Sequence, residues 1–171
     1  MDAYSPLAPS YDTLESLADA IGESLESQVT IEDDKHNVLA YSSHRQESDP
    51  ARISTIIGRR VPDEVTAGLR RAGVLKQLEM TPLPVRVPAM PEIGLGPRLT
   101  ICIQHRQHVL GYIWIVDTGR LIGEEAERVV LQAAEIAKRL LLRQRSSRAK
   151  QEQLQDALFW KLLTGSNAAE S

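Results

Sequence analysis

The chain has 171 residues, of which 42% are hydrophobic and 25% charged, with a net charge of -3. That is enough apolar chain for one globular domain with a buried core, and its slight acidity excludes a global attraction to nucleic acid or membrane surfaces. A single cysteine, Cys102, excludes an internal disulfide and fits a reducing compartment.

Residues 1–10 carry no cationic start and no apolar run, and they read as a flexible lead-in rather than a signal peptide. No stretch approaches the roughly 18 apolar residues that a membrane helix needs. Asp12 is placed to cap a first helix, with Glu15 three positions later. Leu14, Leu17, Ile21 and Leu25 then fall on one helical face. "QVTIEDDKHNVLAYSS" reads as a hairpin: Val29 and Ile31 alternate with polar neighbours, "DDKHN" turns, and Val38 to Ser42 returns.

Asp49-Pro50 suits a helix start. Ile53, Ile56 and Ile57 give that short helix an inward apolar side, and Gly58 ends it. "DEVTAGLRRAG" is a further helix, and "VLKQLEM" adds a turn or two. Residues 82–98 hold five prolines and two glycines, so an edge strand around Val85 to Val87 and an extended loop are expected. "LTICIQH" and "HVLGYIWIVD" form a hairpin about Arg106-Gln107. The second of these strands is apolar on both faces, hence central, and Gly111 marks a close backbone approach. From Gly123 a helix of about 40 residues runs to Gly165. Its acids Glu124 and Glu125 sit at its positive end.

This order makes an α+β fold, with the first and last helices on one sheet face. Catalytic signatures are missing: no G-x-S-x-G, H-E-x-x-H, C-x-x-C or phosphate loop. His36, His44, His105 and His108 form no metal-ligand set, and neither a metal nor a cofactor is expected. Arg59, Arg60, Arg86 and Arg98 are candidates to grip a carboxylate or phosphate of a small ligand; surface charge or internal pairing with Glu92, Asp63 or Glu64 is the alternative. Tyr112 and Trp114 share a face of the central strand and line either a pocket or the core. The last helix is cationic from Lys138 to Lys150, as a solvated linker helix would be. Leu154, Leu158, Phe159, Trp160, Leu162 and Leu163 make its end strongly apolar. Such a tail packs on a partner subunit or on a following domain.

"VTIEDDKHNVLAYSS", "DPARISTIIGRRVP", "VRVPAMPEIGLGPRLTICI", "HVLGYIWIVD" and "FWKLLTG" together resemble the N-terminal sensory domain of PucR-type transcriptional regulators, from about residue 12 to 165. The resemblance implies a GAF-like antiparallel sheet of five or six strands, with the N-terminal helix and a long C-terminal helix on one face. It places a sensory domain at 11–145 and a helical extension at 146–171, leading to output domains that this sequence does not contain. It implies a cytoplasmic homodimer that senses an unidentified small molecule and does not act as an enzyme. DNA would be reached only through a C-terminal helix-turn-helix outside this sequence. The stretch from Tyr41 to Pro62 becomes the roof of a ligand pocket, with Tyr41, Arg59, Arg60, Arg86, Tyr112 and Trp114 as its ligand candidates. Leu140, Leu154, Leu158, Trp160 and Leu162 become the dimer seam. The alternative is a structural dimerisation module whose pocket is filled by its own side chains.

Overall fold

A computed structural model describes residues 4–43, 48–121 and 123–168. The elements run α1 (Leu14–Leu25), β1 (Val29–Asp33), β2 (Val38–Tyr41), α2 (Pro50–Gly58), α3 (Asp63–Arg71), α4 (Val74–Glu79), β3 (Val85–Val87), β4 (Arg98–His105), β5 (His108–Val116) and α5 (Gly123–Ala168), with a 3-10 turn at Pro91–Ile93. The strands form one five-stranded antiparallel sheet in the order β2-β1-β5-β4-β3. It is an α+β fold with an N-terminal helix and a long C-terminal helix, as the sequence implied.

The central strand is β5, and it carries the two-faced pattern that centrality requires. Tyr112 and Trp114 point to one face, Ile113 and Ile115 to the other, and all four are buried. At Gly111 a Cβ would lie 2.1 Å from the Glu32 carbonyl oxygen, so the pairing of β5 with β1 leaves no room for a side chain there. The β4–β5 turn places Arg106 and Gln107 both at positive φ, 49° and 66°, as a tight hairpin turn demands.

The Ile113 face is covered by α1, which lies against β1 and β2, and by the first turns of α5, whose Leu131 and Ala134 adjoin Ile101 and Ile103. α1 buries Leu14, Leu17, Ala18, Ile21 and Leu25. Its cap is Thr13 with Ser16, not Asp12 with Glu15. Thr13 has the extended backbone that an N-cap needs, and its hydroxyl accepts from the Ser16 N–H. Leu7 is buried, and its carbonyl accepts from Gln132 Nε2.

The Trp114 face is roofed by α2, α3, α4 and the proline-bearing loop, which share one apolar cluster with Val85, Val87, Cys102 and Tyr112. The phase of α2 differs from expectation. Ile53 and Ile57 are exposed and Ile56 is only partly covered, whereas Ala51, Arg52 and Thr55 turn inward. Asp49 fixes this phase. Its Oδ1 caps the Arg52 N–H at 2.8 Å, and its Oδ2 accepts from Gly96 N–H at 2.7 Å and from Arg98 Nη1 at 2.6 Å. Three anchors at the first turn outweigh the apolar gain of rotating three isoleucines inward.

The chain divides into two compact units, 1–138 and 139–171. In the second, α5 continues past Gly165 to Ala168, and Leu154, Leu158, Phe159, Trp160 and Leu162 are each 60% exposed or more.

Candidate functional site

Directly paired residues of neighbouring strands share a face. One row therefore reads Tyr41, Thr30, Trp114, Thr100 and Val85, and the next reads Glu32, Tyr112 and Cys102. Between these rows and helices α2 and α3 lies a cavity of about 40 Å³. Its floor is Thr30, Glu32 and Trp114; Arg52, Thr55 and Arg98 supply polar walls; Val61, Val65, Leu69 and Leu95 supply apolar ones.

Glu32 is 1% exposed. Burial raises its pKa above the ordinary 4.5; the His36 imidazole opposes this, its Nδ1 lying 2.8 Å from Glu32 Oε1. His36 reaches that position because the Asp33 turn sets it at φ 65° and its ring stacks on Tyr112, with centroids 5.2 Å apart. The Tyr112 hydroxyl in turn donates to Glu79 Oε1 at 3.0 Å, and burial pushes that phenol well above its usual range. Cys102, in the same row, has its thiol pushed up to about 11 by burial, which keeps it un-ionised and unreactive. Trp114 Nε1 lies on the Glu32 side, near enough to favour the carboxylate, but makes no hydrogen bond of good geometry.

Arg52 is 8% exposed. Its Nη2 donates to the Val29 and Ser42 carbonyls at 3.3 and 3.4 Å, and its Nη1 reaches Ser48 Oγ at 3.5 Å; its Nε has no partner among the described residues. Burial and the adjacent Arg98 charge push its pKa down, without approaching neutrality at pH 7. Arg98 is committed to Asp49. Burial alone would raise the Asp49 carboxyl, but the hydrogen bond and charge of Arg98 and the N–H groups of Arg52 and Gly96 outweigh it and hold the pKa below 3.8.

Of the ligand candidates named from sequence, Trp114 lines the cavity. Tyr112 lies one row away, beneath His36. Tyr41 is half exposed on the cavity face, within electrostatic reach of Arg52. Arg86 pairs with Leu99 and so lies on the opposite face. It meets Asp117 at 3.5 Å and Glu127 at 3.6 Å and donates to the Leu121 carbonyl. Arg59 and Arg60 are exposed, and Arg60 pairs loosely with Asp63 at 3.7 Å. It is their backbone that is used: Val38 N–H donates to the Arg59 carbonyl and Arg60 N–H to the Thr55 carbonyl, and with the adjoining bond from Val61 N–H to the His36 carbonyl they tie the end of α2 to the start of β2. His44 lies outside the described residues. Among those residues no cluster of three or more His, Cys, Asp or Glu side chains could hold a metal.

Arg98, an arginine the sequence also offered, lies on the cavity wall but is held by Asp49; Arg52 and Glu32 were not among the sequence candidates. A legible signal existed for Glu32: it pairs with a strand covered on both faces, so the polar side of β1 had to be inside too.

The chain is similar to two curated activators of transcription. It is 41% identical over 160 residues to the DNA-binding transcriptional activator AdeR of Bacillus subtilis, covering 94% of this chain and 38% of that protein. It is 26% identical over 151 residues to the proline-responsive transcriptional activator PutR of the same organism, covering 87% of this chain and 37% of that one. The chain thus spans under two fifths of the length of either relative. No family model matches it. No described helix is long and apolar enough to cross a membrane.

Proposed function

We propose that this chain is the GAF-like, ligand-sensing and dimerising domain of a cytoplasmic PucR-type transcriptional regulator, and not an enzyme. The observation that carries the reading is the cavity between the sheet and α2–α3. It places two buried guanidinium groups, a buried carboxylate and an indole N–H against apolar walls, the make-up of a small-molecule site. The similarity to two activators, one of them named as responsive to an amino acid, supports a regulator that answers to a small metabolite. The paired groups support binding over reaction: among the described residues of the cavity wall no activated nucleophile stands beside a base. Ligand entry would shift α2 and α3 against the sheet, and α5 would carry that shift to a DNA-binding part elsewhere in the protein. The apolar end of α5 would form the dimer seam, through Leu154, Leu158, Trp160 and Leu162; Leu140, the fifth seam candidate from the sequence, is 4% exposed in the single chain and so is not available to a seam.

One observation favours the second reading, a structural dimerisation module. The cavity is small, and Arg52 already bonds two backbone carbonyls. A thermal-shift screen against amino acids, purines and small dicarboxylates separates the two. A ligand at 100 times its Kd should add about 2.7 kcal/mol. A flat response from every class would favour the structural module.

A further inference from the structure

Three buried side-chain polar atoms lack a hydrogen-bond partner among the described residues: Arg52 Nε, Thr100 Oγ1 and Trp114 Nε1. They are not scattered. Thr100 pairs directly with Trp114 across β4 and β5, and Trp114 and Arg52 line the same cavity. Thr100 is 0% exposed, and the other two are 8% exposed. Buried N–H and O–H groups are nearly always bonded, so two open ones on the wall of one cavity, Arg52 Nε and Trp114 Nε1, with Thr100 beside Trp114, point to something that bonds them. Two of the three are N–H groups, which only donate. Their complement is an acceptor.

The charges point the same way. Arg98 pairs with Asp49 at 2.6 Å, and one oxygen of Glu32 meets His36 Nδ1 at 2.8 Å. Arg52 bonds only carbonyl and hydroxyl oxygens, so its charge has no bonded carboxylate among the described residues. At about 40 Å³ the cavity offers roughly three times the space a single buried water needs. A ligand of a few heavy atoms fits, and a fused purine ring does not. Glu32 adds a buried acceptor elsewhere on the wall, suited to a donor on the ligand's other end.

We infer that the cavity takes a small carboxylate with a hydrogen-bond donor on the neighbouring carbon, its carboxylate on Arg52 and its donor on Glu32. The inference rests on the sensing reading above. Small amino acids and small hydroxy acids share this chemistry, and Glu32 tells them apart: an ammonium needs its charge, whereas a hydroxyl needs only an acceptor.

The test is calorimetric titration of this chain with glycine, L-alanine, glycolate, L-lactate, acetate, propionate, methylamine, succinate and adenine. Saturable binding is expected from the amino pair or the hydroxy pair. Acetate and propionate should bind at least about tenfold more weakly, because a site built around a donor rejects the analogue lacking it. Glu32→Gln should weaken an amino acid by about tenfold or more and a hydroxy acid far less. Arg52→Lys, which keeps the charge but loses the fork, should weaken either by about tenfold or more, measured below the melting temperature of the variant, which the lost bonds to the Val29 and Ser42 carbonyls lower. Acetate binding as tightly as glycine, or methylamine binding at all, would overturn the assignment. Binding of succinate or adenine alone would overturn it while leaving the sensing function intact. Binding of no probe would count against both.

Discussion

Asp49 is the residue on which the roof of the cavity depends, and Asp49→Asn isolates its charge. Asparagine is as good an N-cap as aspartate, so the bond to the Arg52 N–H survives. The second oxygen becomes an NH2 group facing two donors, the Gly96 N–H and the Arg98 guanidinium. Arg98 is 5% exposed and would be left buried without its partner. Removing one member of a buried pair costs about 3–5 kcal/mol. Asp49 keeps 17% exposure, so the lower end, about 3 kcal/mol, applies. The lost Gly96 bond brings the total to about 4 kcal/mol. Asp49→Ala also loses the cap and should fall about 1 kcal/mol further. Urea unfolding at pH 7 measures this as a lower midpoint at constant slope. Adding Arg98→Met to Asp49→Asn removes the stranded charge and should restore roughly half of the loss. The contribution also has a pH signature. The folded pKa of Asp49 lies below its ordinary 3.8, so the stability is present above that value and is lost as pH falls through the folded pKa. A loss under about 1 kcal/mol for Asp49→Asn would refute the strap.

Gly111→Ala should be among the most damaging single substitutions, about 3 kcal/mol or a failure to fold, because its Cβ would meet the Glu32 carbonyl at 2.1 Å; a melting curve within about 3 °C of wild type would contradict the register. Ile57→Ser should change stability by less than about 0.5 kcal/mol, since Ile57 is 79% exposed, whereas a loss of 2 kcal/mol or more would mean that α2 turns the other way. Glu32 has a folded pKa above 4.5, so the part of its stability that it owes to protonation is present below 4.5 and lost as pH rises through the folded value; Glu32→Gln should abolish that slope, as a stability–pH profile would show. Truncation after Arg139, or Leu158→Glu in the full chain, should give monomer by sedimentation; an intact dimer in both would rule out a seam in the second half of α5.

Local periodicity and turn chemistry made much of this protein legible from sequence. The two-faced apolar run of β5, the Arg106-Gln107 turn, the Asp49-Pro50 helix start, the edge strand at Val85–Val87 and the uninterrupted pattern of α5 each follow from short-range rules, and the α+β class follows from their order. Two things did not follow. The rotation of α2 is set by Asp49 reaching Gly96 and Arg98, 47 and 49 positions away in the chain, and no local pattern encodes a bond of that span. The site shows the same limit. Arg59, Arg60 and Arg86 carry the same guanidinium as Arg52 and Arg98, but strand alternation and helix phase put the first three outside the cavity and the last two on its wall. Residue type is a property of the sequence. Which side of the sheet a charge faces, and whether a counter-charge from a distant segment meets it there, is decided only when the layers close.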